Sequence, residues 1–564
     1  MNYDALSPVA DTDAVKLRAL NPRLDTLDGK TIGLFASFKG HWVLLLDEIG
    51  RQIQQRHPTV RLTRFRYTKD LNAYTQVAEV GKDPEELPKF ERWLRDCDAA
   101  IVANADAGSC SLYLGYNASI IERLGKPGVL TAQTVYMPTA RSGMALRGVP
   151  GMRIVDINVP DLSLERDVEQ YMKDVASPRI AAALDEIIGA LTRPLTPVEA
   201  APKPVVEPNP RVAMTGSLRE VQDHFYCKGW SYGAPINPPT QAAVQEMLRG
   251  TDLPADHIVA RLPPKQGRAT VEKIAINAVM AGCLPTHLPV LIAAVEAMVD
   301  PRMWIEAYTC SMASWMPMLV VNGPIGRQIN VNGSTSFMSP YFRANACIGH
   351  AVGLMLMNIA GNRPGIEDMG VVGHEGHFGT CFAENEAHSP WEPLHEYYGC
   401  PKGSSAVTLF FPNIRTIGFG AKEAGPLLNS ICDNVPMMGF DPGCAVMLSP
   451  NSARVLHDAG LSRKDVVDYI VEYARRPAAE LNLRWMQQNG HAPKDVPLPM
   501  DLNRSVRKFF SGLHLPIIVA GHENSWGGAL YGGGGDHGGP VTRQVTLPRN
   551  WDALVAEYRD DYGS

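Results

Sequence analysis

The sequence predicts an α/β protein: a doubly wound parallel sheet in its first third, followed by a larger mixed α/β domain. Three observations predict it. Apolar strand-like runs alternate with amphipathic helical patterns over the first ~190 residues, as parallel sheets require. A proline-rich stretch, Thr192 to Pro210, then interrupts the pattern. Behind it, helical and strand patterns resume without strict alternation.

The elements of the first part follow in order. Thr31–Ala36 is a buried strand and Val43–Ile53 an amphipathic helix. Val60–Phe65 alternates as a second strand, and Phe90–Leu94 closes a helix. Ala99–Ala103 is a third strand, ending at the turn Ala107-Gly108-Ser109-Cys110. Leu112, Tyr113, Leu114, Ile120 and Ile121 continue at helical spacing. Gly128–Leu130 and Ile154–Ile157 complete five strands, a flavodoxin-like arrangement. No Gly-x-Gly-x-x-Gly follows the first strand, so a dinucleotide fingerprint is absent.

Prolines 194, 197, 202, 204, 208 and 210 stiffen the connection toward polyproline II. The expected division is residues 1–191, a linker 192–212, and a second domain 213–564. There, Thr270–Ala281 and Leu288–Met298 read as helices. Met318–Val321 reads as a strand, and Phe342–Ile359 as a helix buried all round. Ala445–Leu448 is a strand running into Ser449-Pro450, a strong helix start. Pro516–Ala520 is a late buried strand. No internal repeat is evident.

Composition bounds the function. The chain has 564 residues, 45% hydrophobic and 20% charged, with formal net charge −6. Without a basic run, nucleic-acid and membrane-surface partners are not expected; a small molecule is. The acidic, polar start Met1–Leu17 lacks the pattern of a secretory signal. Ten scattered cysteines suit a reducing compartment, hence a cytoplasmic protein. A homo-oligomer is the expected assembly.

Chemistry concentrates in a few places. Cys110 stands in the first turn of a helix, where unused amides and the dipole favour a thiolate. Ser109 beside it, and Lys39 and His41 after the first strand, share the rim where open α/β sheets bind ligands. Arg141 and Arg147 read as a solvated face. In the second domain, Asn322–Thr335 leads to Arg343 and Asn345, a Gly/Asn/Ser cradle for an anion in which Asn332 takes part. His374, His377 and Glu384 form a dense loop suited to acid–base work or, alternatively, to a divalent metal. His522 follows the last buried strand. Cys283 beside His287, and Cys310, read as packing residues.

With those residues in view, the chain resembles the UGSC-like proteins, named for a selenocysteine- or cysteine-Gly-Ser-Cys motif at a strand end. Gly108-Ser109-Cys110 matches, within Val102-Ala103-Asn104-Ala105-Asp106, and the resemblance spans roughly the first 160 residues. Gly373–Leu394 and Val519–Leu547 are similar to domains found with such proteins. The resemblance implies thiol or selenol chemistry. The family's first chalcogen position is Ala107 here, so redox cycling inside the motif is excluded unless another cysteine, such as Cys97, supplies the second thiol.

The expected function is therefore a thiol-dependent lyase or transferase, rather than an oxidoreductase, acting on a small polar or carboxylated molecule. Cys110 is the expected nucleophile, with His374, His377 and Glu384 as acid–base groups and Arg343 or Asn345 holding an anion. A metal-dependent lyase or hydrolase centred on residues 374–386, and a non-catalytic binding subunit, are the alternatives.

Overall fold

The structure is a computed structural model. It describes residues 1–37, 41–67, 79–160, 167–204, 208–373, 379–417, 420–435, 444–477, 505–507, 515–524, 526–532 and 540–559. Lys39, His374 and His377 lie outside the described residues.

The first part is a five-stranded, all-parallel sheet. In chain order it comprises β1 (Thr31–Ala36), α1 (His41–Arg56), β2 (Arg61–Arg66), α2 (Leu87–Arg95), β3 (Ala99–Ala105) and α3 (Gly108–Arg123). β4 (Gly128–Ala132), α4 (Met137–Leu146), β5 (Arg153–Asp156) and α5 (Ser177–Thr192) follow. The strands lie in the order β2-β1-β3-β4-β5, which is the flavodoxin order. All seven residues of β3 are buried, because helices cover both faces of a parallel sheet. β2 is an edge strand and carries arginines at 61, 64 and 66, which discourage further pairing. α1 turns Trp42, Leu45, Leu46, Ile49 and Ile53 inward at helical spacing.

The first residues of the chain pair with the second part. Tyr3–Leu6 pairs antiparallel with Val212–Gly216, and Thr12 bridges to Gly267. Lys273 Nζ donates to the Ser7 carbonyl at 2.7 Å. The first dozen residues thus build on the second part, although they begin the chain. The proline-rich connection is likewise not all extended. Thr196 caps a short helical turn, Pro197–Ala200, through a reciprocal bond with Glu199. Proline is tolerated there because the first helical position has no use for an N–H.

Arg153 grips Glu199 with two bonds of 2.8 and 3.0 Å, docking this turn on β5. Bonding to Arg153, more than to Thr196, draws the Glu199 carboxyl down to about 2. A carboxyl depressed by folding adds stability above its unfolded value, near 4.3, and loses it as pH falls toward the folded one. Stability of the native protein is therefore expected to fall between pH 4.5 and 2. Glu199→Gln should flatten its own share of that slope in acid titrations followed by unfolding. An unchanged slope would show that the pair contributes nothing.

The second part is a four-layer sandwich. Helices α6 (Val271–Met280), α7 (Leu288–Met298), α8 (Ile305–Thr309) and α9 (Arg343–Met355) accompany β6 (Met318–Asn322), β7 (Thr380–Ala383), β8 (Ala406–Phe410) and β9 (Ile414–Ile417). Next come α10 (Ala424–Asn434), β10 (Cys444–Leu448), α11 (Pro450–Asp458), α12 (Arg463–Tyr473), β11 (Ile517–Val519), β12 (Gly528–Gly532) and β13 (Val541–Gln544). Two four-stranded sheets result, β7-β6-β8-β13 and β11-β10-β12-β9.

Strand alternation assigns the layers. Met318, Val320 and Phe382 of one sheet meet Ala445, Met447 and Ile518 of the other in a shared core. The intervening Leu319, Val321 and Cys381 face α6, α7 and α9, and Val446, Leu448 and Ile517 face α10, α11 and α12.

The two sheets have one topology. In each, a strand is followed by helices, a parallel neighbour, an antiparallel neighbour and a last strand that crosses into the opposite sheet. Thus β9 completes the sheet of the second unit and β13 that of the first. This duplication corrects the expectation of no repeat. It is a repeat of strand order and direction, and the loops between equivalent strands differ too much in length to align by eye. Its faintest trace is Pro324 after β6 and Pro450 after β10.

Candidate functional site

The site grows from the end of β3. After Ala105 the chain passes Asp106 and Ala107, and α3 begins at Gly108. The first intrahelical bond runs from Ser111 N to Ala107 O at 2.9 Å, so the helix ladder offers no acceptor to the amides of Gly108, Ser109 and Cys110. Ser109 and Cys110 are half-buried in that turn, on the carboxyl edge of the sheet. This is the placement expected from the sequence.

The first turn of α1 lies beside it. His41 Nε2 sits 3.0 Å from Asp106 Oδ2, and Trp42 Nε1 donates to the same oxygen at 2.8 Å. His41 and Asp106 are both buried, and their attraction is strengthened by the low local dielectric. Asn117 Nδ2 donates to Ser37 Oγ at 3.0 Å, and Asn117 Oδ1 accepts from Val80 N at 2.8 Å. Asn104, also fully buried, leaves its side-chain oxygen without a hydrogen-bond partner among the described residues. A buried acceptor left unpaired is uncommon and marks a place where a ligand donor could bind. Asp106 and Asn104 are the residues that sequence reasoning passed over. Their signal was present, two polar side chains at the end of an otherwise apolar strand.

The second part of the chain closes over this turn. A Cβ placed on Gly108 would lie 2.3 Å from the Cys310 carbonyl oxygen, 2.9 Å from Met369 Cβ and 3.0 Å from Met312 N. Tyr113 and Tyr116 donate to the two oxygens of Glu306 at 2.8 and 3.2 Å. Thr139 donates to Ile366 O and Ser142 to Glu367 Oε1, each at 2.7 Å. The halves therefore meet along α3 and α4, and Cys110 lies at that seam. Arg147 is not a solvated cation: it holds Glu79 with two 2.7 Å bonds and stacks 3.7 Å over the Tyr116 ring.

Several expected site residues have other work. Glu384 is buried, and its carboxylate accepts from Arg463 Nη2 (3.0 Å), Asn322 Nδ2 (2.7 Å) and Leu394 N (2.6 Å). A carboxylate so fully paired is a poor base and a poor metal ligand, which corrects its expected acid–base role. The residue at the equivalent strand end of the second unit is Ala520, so Arg463 of that unit is matched across the sandwich instead.

Asn332 and Asn345 hold each other's loop. Asn345 Oδ1 accepts from Asn332 N at 2.8 Å, Asn345 Nδ2 donates to Asn332 O, and Asn332 Oδ1 caps Ser334 N. Asn332 Nδ2 also donates to the Thr335 carbonyl and Asn345 Nδ2 to that of Phe337, so both amides serve the loop itself. Arg343 turns to the Gly282 carbonyl, 3.4 Å from Nε and Nη2. His522 is exposed and accepts from Asn524 N at 3.0 Å. The loop nonetheless borders an open pocket of about 140 Å³, lined among others by Gly323, Arg327, Gly333, Ser334 and Asn385. His287 is buried and neutral, its pKa drawn down to about 3 by burial, and Nδ1 caps Leu284 N. That leaves Cys283 a packing residue, as expected.

Among the described residues, no group of three or more His, Cys, Asp or Glu is placed to hold a metal ion. Nor, among them, is any helix long and apolar enough to cross a membrane.

Fold and site together define a two-part α/β protein with a cysteine at the carboxyl edge of a flavodoxin-order sheet. Residues 4–192 match the model of the UGSC family. No curated protein and no solved structure matches the chain.

Proposed function

We propose that the chain is a thiol-dependent enzyme acting on a small polar or carboxylated molecule, with Cys110 as nucleophile. One observation carries the reading: Cys110 is half-buried in the first turn of α3, at the carboxyl edge of β3 and at the seam between the two halves. Backbone amides and the positive helix end there favour a thiolate over a thiol. The His41–Asp106 pair supports proton transfer on the same rim, a carboxylate orienting a histidine as acid–base chemistry requires. The Asn104 oxygen would accept from a substrate N–H or O–H. Addition, group transfer or elimination fits a single nucleophilic thiol, which favours a lyase or transferase. His374 and His377 remain proposed acid–base partners. The chain leading to them, up to Gly373, is tied to Ser314 by a 3.1 Å bond from Gly373 N. A small-molecule substrate and a reducing, cytoplasmic setting suit this chemistry.

Rates of iodoacetamide labelling at each cysteine from about pH 5 to 9, resolved by peptide mass spectrometry, test the proposal. Cys110 is expected to react fastest, at least tenfold above the exposed Cys227 at pH 7. Cys110→Ser should remove that reactivity and leave the circular dichroism spectrum unchanged. Labelling of Cys110 no faster than Cys227 overturns the reading.

A further inference from the structure

A second cysteine backs onto the Cys110 turn through its main chain, and it comes from the other half of the chain. Cys310 ends α8, and its carbonyl oxygen is 2.3 Å from the place a Cβ on Gly108 would take. Gly108 and Cys110 share one helical turn. Cys310 is fully buried and packs into the core of the first part, the same core against which Cys110 packs. Cys97 cannot serve this turn. It precedes β3 while Cys110 follows it, and a seven-residue strand spans about 23 Å.

We propose that Cys110 and Cys310 form a reversible disulfide across the seam, which switches the site off when a low-molecular-weight disulfide accumulates. The inference rests on the reading of Cys110 as the reactive thiol. The Cys110 thiolate attacks one sulfur of oxidised glutathione, forming a mixed disulfide and releasing one glutathione thiolate. The Cys310 sulfur then attacks the Cys110 sulfur, its proton leaves with the second glutathione, and the Cys110–Cys310 bond closes. Two protein thiols are oxidised and one glutathione disulfide is reduced to two thiols.

The two cysteines divide the work by environment. Cys110 is only partly buried and reacts first. Burial, with Glu367, Asp368 and the charge of Cys110 itself adding to it, holds the Cys310 thiol well above the ordinary range. Cys310 is therefore silent toward outside reagents and acts only on a sulfur brought to it. Ala107, which removes the partner within the motif, makes an outside partner necessary for any disulfide at this turn.

The test uses the full reduced chain, incubated with oxidised glutathione, quenched with N-ethylmaleimide and mapped as non-reduced peptides. The expected product is a Cys110 peptide linked to a Cys310 peptide, reversed by dithiothreitol. In Cys310→Ala, glutathione should remain on Cys110, rising at least tenfold over the unsubstituted chain. A stable glutathione adduct on Cys110 of the unsubstituted chain, without the link, overturns this inference and leaves the proposed nucleophile intact. If neither glutathione nor iodoacetamide modifies Cys110, both fall.

Discussion

Arg463→Met is expected to lower the stability of the protein by about 3–5 kcal/mol, the cost of leaving one member of a buried ion pair without the other. Arg463 and Glu384 are completely buried at their side chains and 3.0 Å apart. The guanidinium also donates to the carbonyls of Ile517 and Glu392. Without it, Glu384 keeps Asn322 and the Leu394 amide as donors and loses its only opposite charge among the described contacts. The carboxylate must then be protonated or drag water into the sandwich.

The double variant Glu384→Met with Arg463→Met should recover most of the loss, because an apolar pair of similar volume avoids the desolvation problem. Urea unfolding monitored by tryptophan fluorescence measures both. A single-variant loss under about 1 kcal/mol, the range of exposed pairs, would show that the pair is not a structural tie between the two units. The outcome also bears on chemistry: a residue needed to bind the two sheets together is not the acid–base group once expected at position 384.

Gly108→Ala is expected to separate the lid-like seam from the Cys110 turn. A methyl there would stand 2.3 Å from a backbone oxygen and 3.0 Å from a backbone nitrogen, neither of which can swing aside as a flexible side chain would. Overpacking of this kind costs about 1–3 kcal/mol. The larger effect is local. With the Cys310–Met312 backbone pushed off α3, the buried Cys310 should become open to iodoacetamide, at least tenfold faster than in the unsubstituted chain. Gly115→Ala serves as the control, since its methyl would strike the Ala140 carbonyl at 2.3 Å, inside the first part and away from the seam. Equal Cys310 labelling in Gly108→Ala and the parent would mean that the contact is loose and that α3 does not support the second half.

The first part was readable because its signals are local. β1, β3 and β4 are apolar runs covered on both faces, α1 shows a 3.6-residue stripe, and the Gly108 turn carries its own chemistry. The sandwich was harder. Strands β6 and β10 were visible as short apolar runs, yet short runs say nothing of which strand pairs with which. The exchange of β9 and β13 joins strands far apart in sequence, and no composition or period encodes that pairing. Polar loops misled in a consistent way. Glu384, Asn332 and Asn345 looked like site residues because they are polar and near glycines, and the same traits serve a loop that must satisfy its own buried groups.

The chain alone determined that a helix begins at Gly108 with a cysteine in its first turn, since turn chemistry and hydrophobic spacing act over a few residues. Only the folded molecule decided what surrounds that sulfur. His41 and Asp106 meet because β1 and β3 are neighbours in the sheet, and Cys310 arrives from about 200 residues away because tyrosines on α3 hold Glu306. Local propensity is written residue by residue, whereas contacts between distant segments depend on how whole layers bury their apolar faces against one another.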